Sequence, residues 1–437
     1  MLRYTIRSME KYHKLITKTY HSVRSDSLKR SSLLLILAQL TNAGGLFFFW
    51  IINARLFSAS LVGLATAFIS FGVLVATFTN LGLPNTIIRF LPKSKLPGGL
   101  FSSSLALVSL SSMLGGLIAL ELVSRIAPRL DFINNSTSLE ILFVMLVMST
   151  AVSALLDGTL VSFRKGELVL TKSVIVNIPR LVIPFFAVAA GVRGMTSIYT
   201  LTLLLGIGYN LVMIVGKLLA EHSLRPDLGL VLQHKAYATS NYFGGLFGVL
   251  PITLVPIIVL NQLGAASAAY FYIPMMIAAM ISLICNSISQ ALISECAQTD
   301  DLDEQKHFFK RAMKHQYQLL LPLIGVLIVF AWPVLDVYGR AYADNGFLPL
   351  VVLILSGLFV GLNWLGDTWL NITKRHKDYF LMNAFNAVSV VGFVYLFSKH
   401  GLVAVAFGWM LGQITSAIVY LSIFARSQLM TLFKLKF

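Results

Sequence analysis

Charge is what this sequence has least of. Asp, Glu, Lys and Arg together make up 12% of its 437 residues, about half of what a soluble domain carries. Acids are the scarcer kind, 18 against 34 basic residues, so most of the basic surplus has no partner within the chain. There are two cysteines: Cys285 falls inside an apolar run and Cys296 just past its end, which excludes a disulfide framework. The eight histidines, His13, His21, His222, His234, His307, His315, His376 and His400, all fall in tails or loops. None has metal-ligand spacing, and none sits within a run as a proton relay would. Phosphate-binding glycine loops and nucleophile elbows are missing as well. The expectation is no catalytic residue, no metal and no cofactor. An Asp-X-Asp at Asp301 and Asp303 is the one motif a metal-dependent glycosyltransferase would want. Asp301 with Glu304 fits instead a capping box opening a helix over 305–315, expected to lie along the membrane surface with Lys306, Lys310, Arg311 and Lys314 towards headgroups.

What is present is apolar length. Hydrophobic residues make up 57% of the chain and mean hydropathy is +0.80. The runs at 32–54 and 61–83 are each about 22 residues, roughly 33 Å as helix against a hydrocarbon core of about 30 Å. Backbone groups in lipid must pair within their own segment, so such runs are helices. Ten more follow at 99–123, 140–162, 173–192, 198–220, 241–262, 268–292, 316–335, 347–371, 380–398 and 401–424. The reading is an all-α polytopic membrane protein with twelve transmembrane helices. The net charge of +16 does not point to nucleic acid, because the basic residues flank the spans and form no patch on a compact domain. They crowd into alternate loops, leaving Arg55, Arg125, Arg129, Arg193, Arg340 and Lys399 on the other side. By the positive-inside rule both termini are cytoplasmic and the protein is multi-pass in the cell membrane. No cleaved signal is apparent, since the first long run follows 30 polar and basic residues. In that segment Leu2, Ile6, Met9, Tyr12, Ile16, Tyr20 and Val23 recur at helical spacing opposite Arg3, Arg7, Lys11, Lys14 and Lys18, a pattern for a basic amphipathic helix on an anionic leaflet.

The chain also echoes itself. Gly44-Gly45-Leu46-Phe47 returns as Gly244-Gly245-Leu246-Phe247. Leu155-Leu156-Asp157 with Arg164-Lys165 lines up with Leu365-Gly366-Asp367 and Lys374-Arg375. Two related bundles of six helices, 31–220 and 241–425, follow from this, joined by a cytoplasmic linker at 221–240 and flanked by the segment 1–30 and a tail at 426–437. Six is even, so the repeats run parallel about an axis along the membrane normal, with a central cavity between them.

At this point the residues resemble a family. "GLPNTIIRFLPK" at 82–93, "AAYFYIPMMIAAMISLICNSISQALISE" at 268–295 and "VYGRAYADNGFLPLVVLIL" at 337–355, with Arg55 before the first short turn, resemble an oligosaccharide flippase of the multidrug/oligosaccharidyl-lipid/polysaccharide exporter superfamily. The resemblance covers nearly all of the chain after residue 30. It implies alternating-access transport of a polyprenyl-diphosphate-linked oligosaccharide for surface polysaccharide biosynthesis. The implied partners are membrane lipids, the lipid-linked substrate and a monovalent coupling ion, and the expected state is a monomer. The rivals are a cation-coupled multidrug exporter of the same superfamily and an integral membrane glycosyltransferase or polymerase.

Ionisable groups in spans are informative because each costs about 2.5–3.5 kcal/mol at a helix centre. Arg180, between Pro179 and Pro184, reads either as a cation facing the cavity and a lipid diphosphate, or as a structural arginine snorkelling or paired with Asp157. The resemblance adds Arg89 and Arg55 to a cationic substrate path; interfacial anchoring is the plain reading of both. Asp157 and Asp367 are candidates for anchoring the next basic loop or for gating and ion coupling. Pro251 and Pro256 with Gly244 and Gly245 make the seventh span a candidate hinge, and Pro274 interrupts the eighth. Asn241, Asn261, Gln262, Asn286 and Gln290 are candidate glycan contacts or interhelical hydrogen bonds.

Overall fold

The computed structural model describes residues 27–299 and 301–434, with side chains from 33 to 423 apart from 240, 241 and 376. The surface helix expected before residue 27, the Asn241 side chain and residues 435–437 lie outside the described residues. Helices account for nearly all of it, and no strand occurs among the described residues. Twelve are long and apolar enough to cross a membrane. We number them α1 (Ser27–Leu56), α2 (Ala59–Thr79), α3 (Pro97–Ile126), α4 (Thr137–Ser162), α5 (Gly166–Val182) and α6 (Gly191–Met213). The second set is α7 (Lys235–Leu263), α8 (Ala265–Cys296), α9 (Leu302–Tyr338), α10 (Arg340–Ile372), α11 (His376–Phe397) and α12 (Leu402–Lys434). One end of the bundle holds Arg89, Arg164, Lys165, Lys374 and Arg375; we call it the basic end, and the other the far end.

Local chemistry fixes the boundaries. The Ser58 side chain accepts from Leu61 N to open α2, and that of Asp301 accepts from Asp303 N at 2.9 Å to open α9. α9 is 37 residues long, roughly 55 Å, far more than the hydrocarbon requires. The stretch expected to lie flat on the membrane at 305–315 instead continues straight into the span. Nothing breaks the helix there, and Phe309 packs with Leu292, Leu365 and Trp369, holding the extension upright. α7 runs unbroken through Pro251 and Pro256, whereas α8 breaks at Met280 into Ala265–Ala279 and Ile281–Cys296, six residues after Pro274.

The two sets of six repeat one another. α1 packs on α5, α3 on α4, α4 on α6 and α5 on α6; α7 on α11, α9 on α10, α10 on α12 and α11 on α12 repeat each pairing. The register is 210 residues through the later helices. Arg164 and Lys374 both adopt left-handed backbone, φ 55° and 56°. Each ends its helix with the same cap: Arg164 N to Val161 O and Lys165 N to Leu160 O, Lys374 N to Asn371 O and Arg375 N to Leu370 O. That is a Schellman-type ending. The Gly-Gly-Leu-Phe echo is not in this register. Gly44 stands twelve residues before the end of α1 and Gly244 nineteen before the end of α7, two turns out of step.

The halves meet along α2, which packs on α7 and on the first part of α8. Gly63 makes this approach possible: a Cβ there would fall 1.7 Å from Ala265 O. α1 meets the other half at the far end, against α9 and through Trp50 against Tyr272, ring centroids 5.4 Å apart.

Candidate functional site

The first half encloses a cation. Arg180 comes near the end of α5, where Pro179 and Pro184 shorten the helix and turn it to 3-10 geometry. It is 6% exposed. Its Nε donates to Thr202 Oγ1 at 2.9 Å, and its guanidinium lies 4.7 Å from the centre of the Tyr199 ring. Among the described residues no carboxylate pairs with it, and its one hydrogen bond leaves the terminal nitrogens without a partner. Cation–π contact and one neutral hydrogen bond offset little of a buried charge. Nearby on α5, Asn177 donates to Asn42 Oδ1 of α1 at 3.0 Å, while its own Oδ1 is enclosed without a partner. Tyr199 is on α6, which packs against α2, the helix along which the halves meet.

The repeat-related aspartates have different surroundings. Asp157 on α4 receives Lys172 Nζ at 2.9 and 2.6 Å and Asn210 Nδ2 at 2.9 Å. Lys172 is therefore the partner of Asp157, and Arg180 is not. In the second half, position 382, in register with Lys172, is methionine. Asp367 is held by Asn383 Nδ2 at 3.0 Å and by the Tyr420 hydroxyl, with no basic partner among the described residues. Tyr420 and Asn210 both lie 53 residues after their aspartate. Gly366 lets the Tyr420 ring lie on α10, since a Cβ there would sit 2.3 Å from its Cδ1. Above Asp367, Gln413 Oε1 accepts from Asn363 at 2.7 Å and Asn386 at 3.2 Å. Val390 holds the place of Arg180, packed against Gly412 in the place of Thr202. Among the described residues the second half thus carries an unmatched acid, Asp367, and the first an unmatched base, Arg180, at positions that the repeat does not relate.

The three arginines expected along one path are dispersed, and only Arg180 is interior. Arg55 is at the far end, exposed, where Nε donates to Val337 O at 2.8 Å and Nη2 to Asp336 O at 2.6 Å. It ties α1 to the last turn of α9. Asn261, at the end of α7, donates to Ile126 O of α3 at 3.0 Å, and Tyr338 donates to Phe47 O at 3.4 Å. The far end is closed. Arg89 is at the basic end, exposed on the short helix Leu83–Phe90, with its guanidinium 4.5 Å from the centre of the Tyr237 ring. Phe90 stacks on His234 at 3.9 Å, and Tyr242 donates to Phe78 O at 3.0 Å, so the α2–α7 flank is closed at this end too.

The opposite flank is not packed in this way. Among the described residues, no packing comparable to α2 on α7 runs between the basic-end parts of α1 and α8. Gln39 and Asn42 on α1 and Asn286 and Gln290 on α8 keep partial or full exposure there. Gln262 is half-buried at the far end, Gly244 lies against the Tyr379 ring, and Gly245 faces open space.

Sequence reasoning missed Lys172, Thr202, Tyr199, Tyr420 and the Asn363–Gln413–Asn386 cluster. The 53-residue spacing from each aspartate was a usable signal for Asn210 and Tyr420. No one-dimensional signal brings Thr202 to Arg180.

No protein-family model matches the chain. One curated relative, named "Putative O-antigen transporter", from Shigella flexneri, is 23% identical over 250 residues, 54% of this chain. The chain spans about 60% of that relative's length. Among solved structures, an inward-facing multidrug-resistance MATE family transporter of the MOP superfamily superposes with a TM-score of 0.66 at 15% identity, covering 92% of this chain and 96% of that one. An outward-facing MATE family transporter of the superfamily gives 0.56 at 13% identity over 93% and 96%. The twelve-helix, two-half architecture and the resemblance read from the sequence agree: this chain has the fold of the multidrug/oligosaccharidyl-lipid/polysaccharide exporter superfamily.

Proposed function

We propose that this chain is a transporter and that it flips a polyprenyl-diphosphate-linked oligosaccharide across the cell membrane for surface polysaccharide biosynthesis. The observation that carries the reading is Arg180, a buried guanidinium with terminal nitrogens free and no carboxylate paired with it among the described residues. Such a group is stable in a bundle that periodically takes up an anion, and a phosphoryl oxygen suits its paired donors. Residues 31–220 and 241–425 act as two bodies joined through 221–240, with both termini cytoplasmic, so the basic end is the cytoplasmic one. The far end is closed by Arg55 and Asn261, and the better superposition on an inward-facing transporter supports the same state. The lipid-linked substrate enters between α1 and α8, where Gln39, Asn42, Asn286 and Gln290 meet the glycan while the hydrocarbon tail stays in the bilayer. Rocking of the two halves then exposes the cleft to the other side. Of the two aspartates Asp367 is the coupling candidate, because Lys172 already neutralises Asp157.

The test compares Arg180→Ala and Arg180→Lys for surface glycan display at equal protein level. Loss in the alanine variant with partial recovery in the lysine variant is expected; unchanged display in both overturns the reading. The second reading is a cation-coupled multidrug exporter, which Asp367 favours. It predicts that Arg180→Ala leaves export of cationic dyes intact while Asp367→Asn abolishes it.

A further inference from the structure

The basic end of the second half holds a crevice that the proposed transport does not use. It lies between α9, α10 and α12, lined by Phe309, Met313, Gly366, Trp369, Tyr420 and Leu421 among others. Its walls are almost wholly apolar and its volume is about 120 Å³. An apolar void of this order stays dry, and one of about 150 Å³ takes up benzene. In a bilayer the available filler is a hydrocarbon chain. Trp369 stands five residues before the turn at Lys374, about 7 Å of helix. The crevice therefore opens at the border of tails and headgroups, the level that tryptophan favours.

The mouth is basic. Phe309 and Met313 are each followed by a lysine, Lys310 and Lys314, both exposed and neither in an ion pair among the described residues. Lys374, also exposed, stands on the α10 side. Their neighbours are already matched, Lys306 to Asp303 at 2.9 Å and Arg311 to Glu295 at 2.6 Å. The charge left over at this end of α9 is positive. α9 runs inward from Leu302 at the basic end, so Lys310 and Lys314 stand level with Phe309 and Met313, and their side chains tilt back toward the basic end.

We propose that this crevice binds one hydrocarbon chain of an anionic phospholipid, with the phosphate on Lys310 and Lys314. A neutral lipid would fill the space and leave the lysines unmatched. The inner wall is the Tyr420 ring seated on Gly366, and the Tyr420 hydroxyl holds Asp367, so the bound chain props that ring from the membrane side.

The purified full chain in detergent, given equal amounts of phosphatidylglycerol and phosphatidylethanolamine, tests this by native mass spectrometry. Phosphatidylglycerol should be retained in preference. Met313→Trp and Leu421→Trp fill the crevice from different helices, so one remains informative if the other fails to fold; each should cut retention at least about fivefold. Lys310→Ala with Lys314→Ala, which leaves the packing alone, should erase the preference by about fivefold per lysine. Undiminished retention in the filled variants overturns the proposal. So does displacement of phosphatidylglycerol by an equal amount of polyprenyl phosphate, which would make the substrate's tail the occupant.

Discussion

At the scale of single residues, the two aspartates test whether equivalent positions do equivalent work. Lys172→Met copies into the first half what the second half has at position 382. It strands Asp157, whose side chain is 33% exposed. Removing one partner of a fully buried pair costs about 3–5 kcal/mol; with that exposure we expect roughly 1–3 kcal/mol, seen as a lower melting temperature in detergent. Asp157→Asn added to Lys172→Met should recover most of the loss. In the second half, Tyr420→Phe removes a hydrogen bond to a carboxylate and should cost roughly 1.5–3 kcal/mol. Gly366→Ala should lower the melting temperature by a similar route, pushing the Tyr420 ring off α10. If both variants melt as the parent does, Tyr420 does not hold Asp367.

At the scale of elements, the far-end closure is the feature most open to perturbation. Arg55→Ala removes both bonds to the last turn of α9. Spin labels at Ser58→Cys and Asp344→Cys, both exposed, should report a longer and broader distance in that variant by pulsed electron resonance. An unchanged distribution means that the aromatic contacts of Trp50 and Tyr338 close the end unaided. The helices themselves were readable in the sequence because hydropathy and length decide them. Arg180 was readable too, since a charge within an apolar run stands out. Its setting was not: Thr202 and Tyr199 come from α6, and only packing selects which face of α6 meets α5. The course of α9 was misread because an amphipathic stretch reads alike whether its apolar side meets lipid or Trp369. The break in α8 was misplaced because proline marks where a helix is able to yield, and neighbours decide where it does.

At the scale of the whole molecule, the two flanks differ: α2 packs on α7, while α1 stands off the basic-end part of α8. In a background with Cys285 and Cys296 changed to Ala, Phe78→Cys with Tyr242→Cys should be bridged by a short bifunctional reagent. Gln39→Cys with Asn286→Cys should not be bridged without a longer one. Equal cross-linking of both pairs on a gel would mean that the lateral opening is closed in the membrane. The Gly-Gly-Leu-Phe echo pointed to the correct duplication for an insufficient reason, since it is two turns out of register. The aspartate and basic-pair echo carries the true alignment, down to the paired left-handed caps.

The five hydrogen bonds described between the halves share one property. Arg55, Asn261, Tyr242 and Tyr338 supply every donor, and every acceptor is a main-chain carbonyl. None of these bonds ends on a carboxylate that acid could protonate, and no point substitution other than one that distorts the backbone deletes its receiving side. Acidification alone should leave these clasps intact. The signal to part them has to arise inside the protein, from whatever ligand occupies the unmatched base of one half or the unmatched acid of the other.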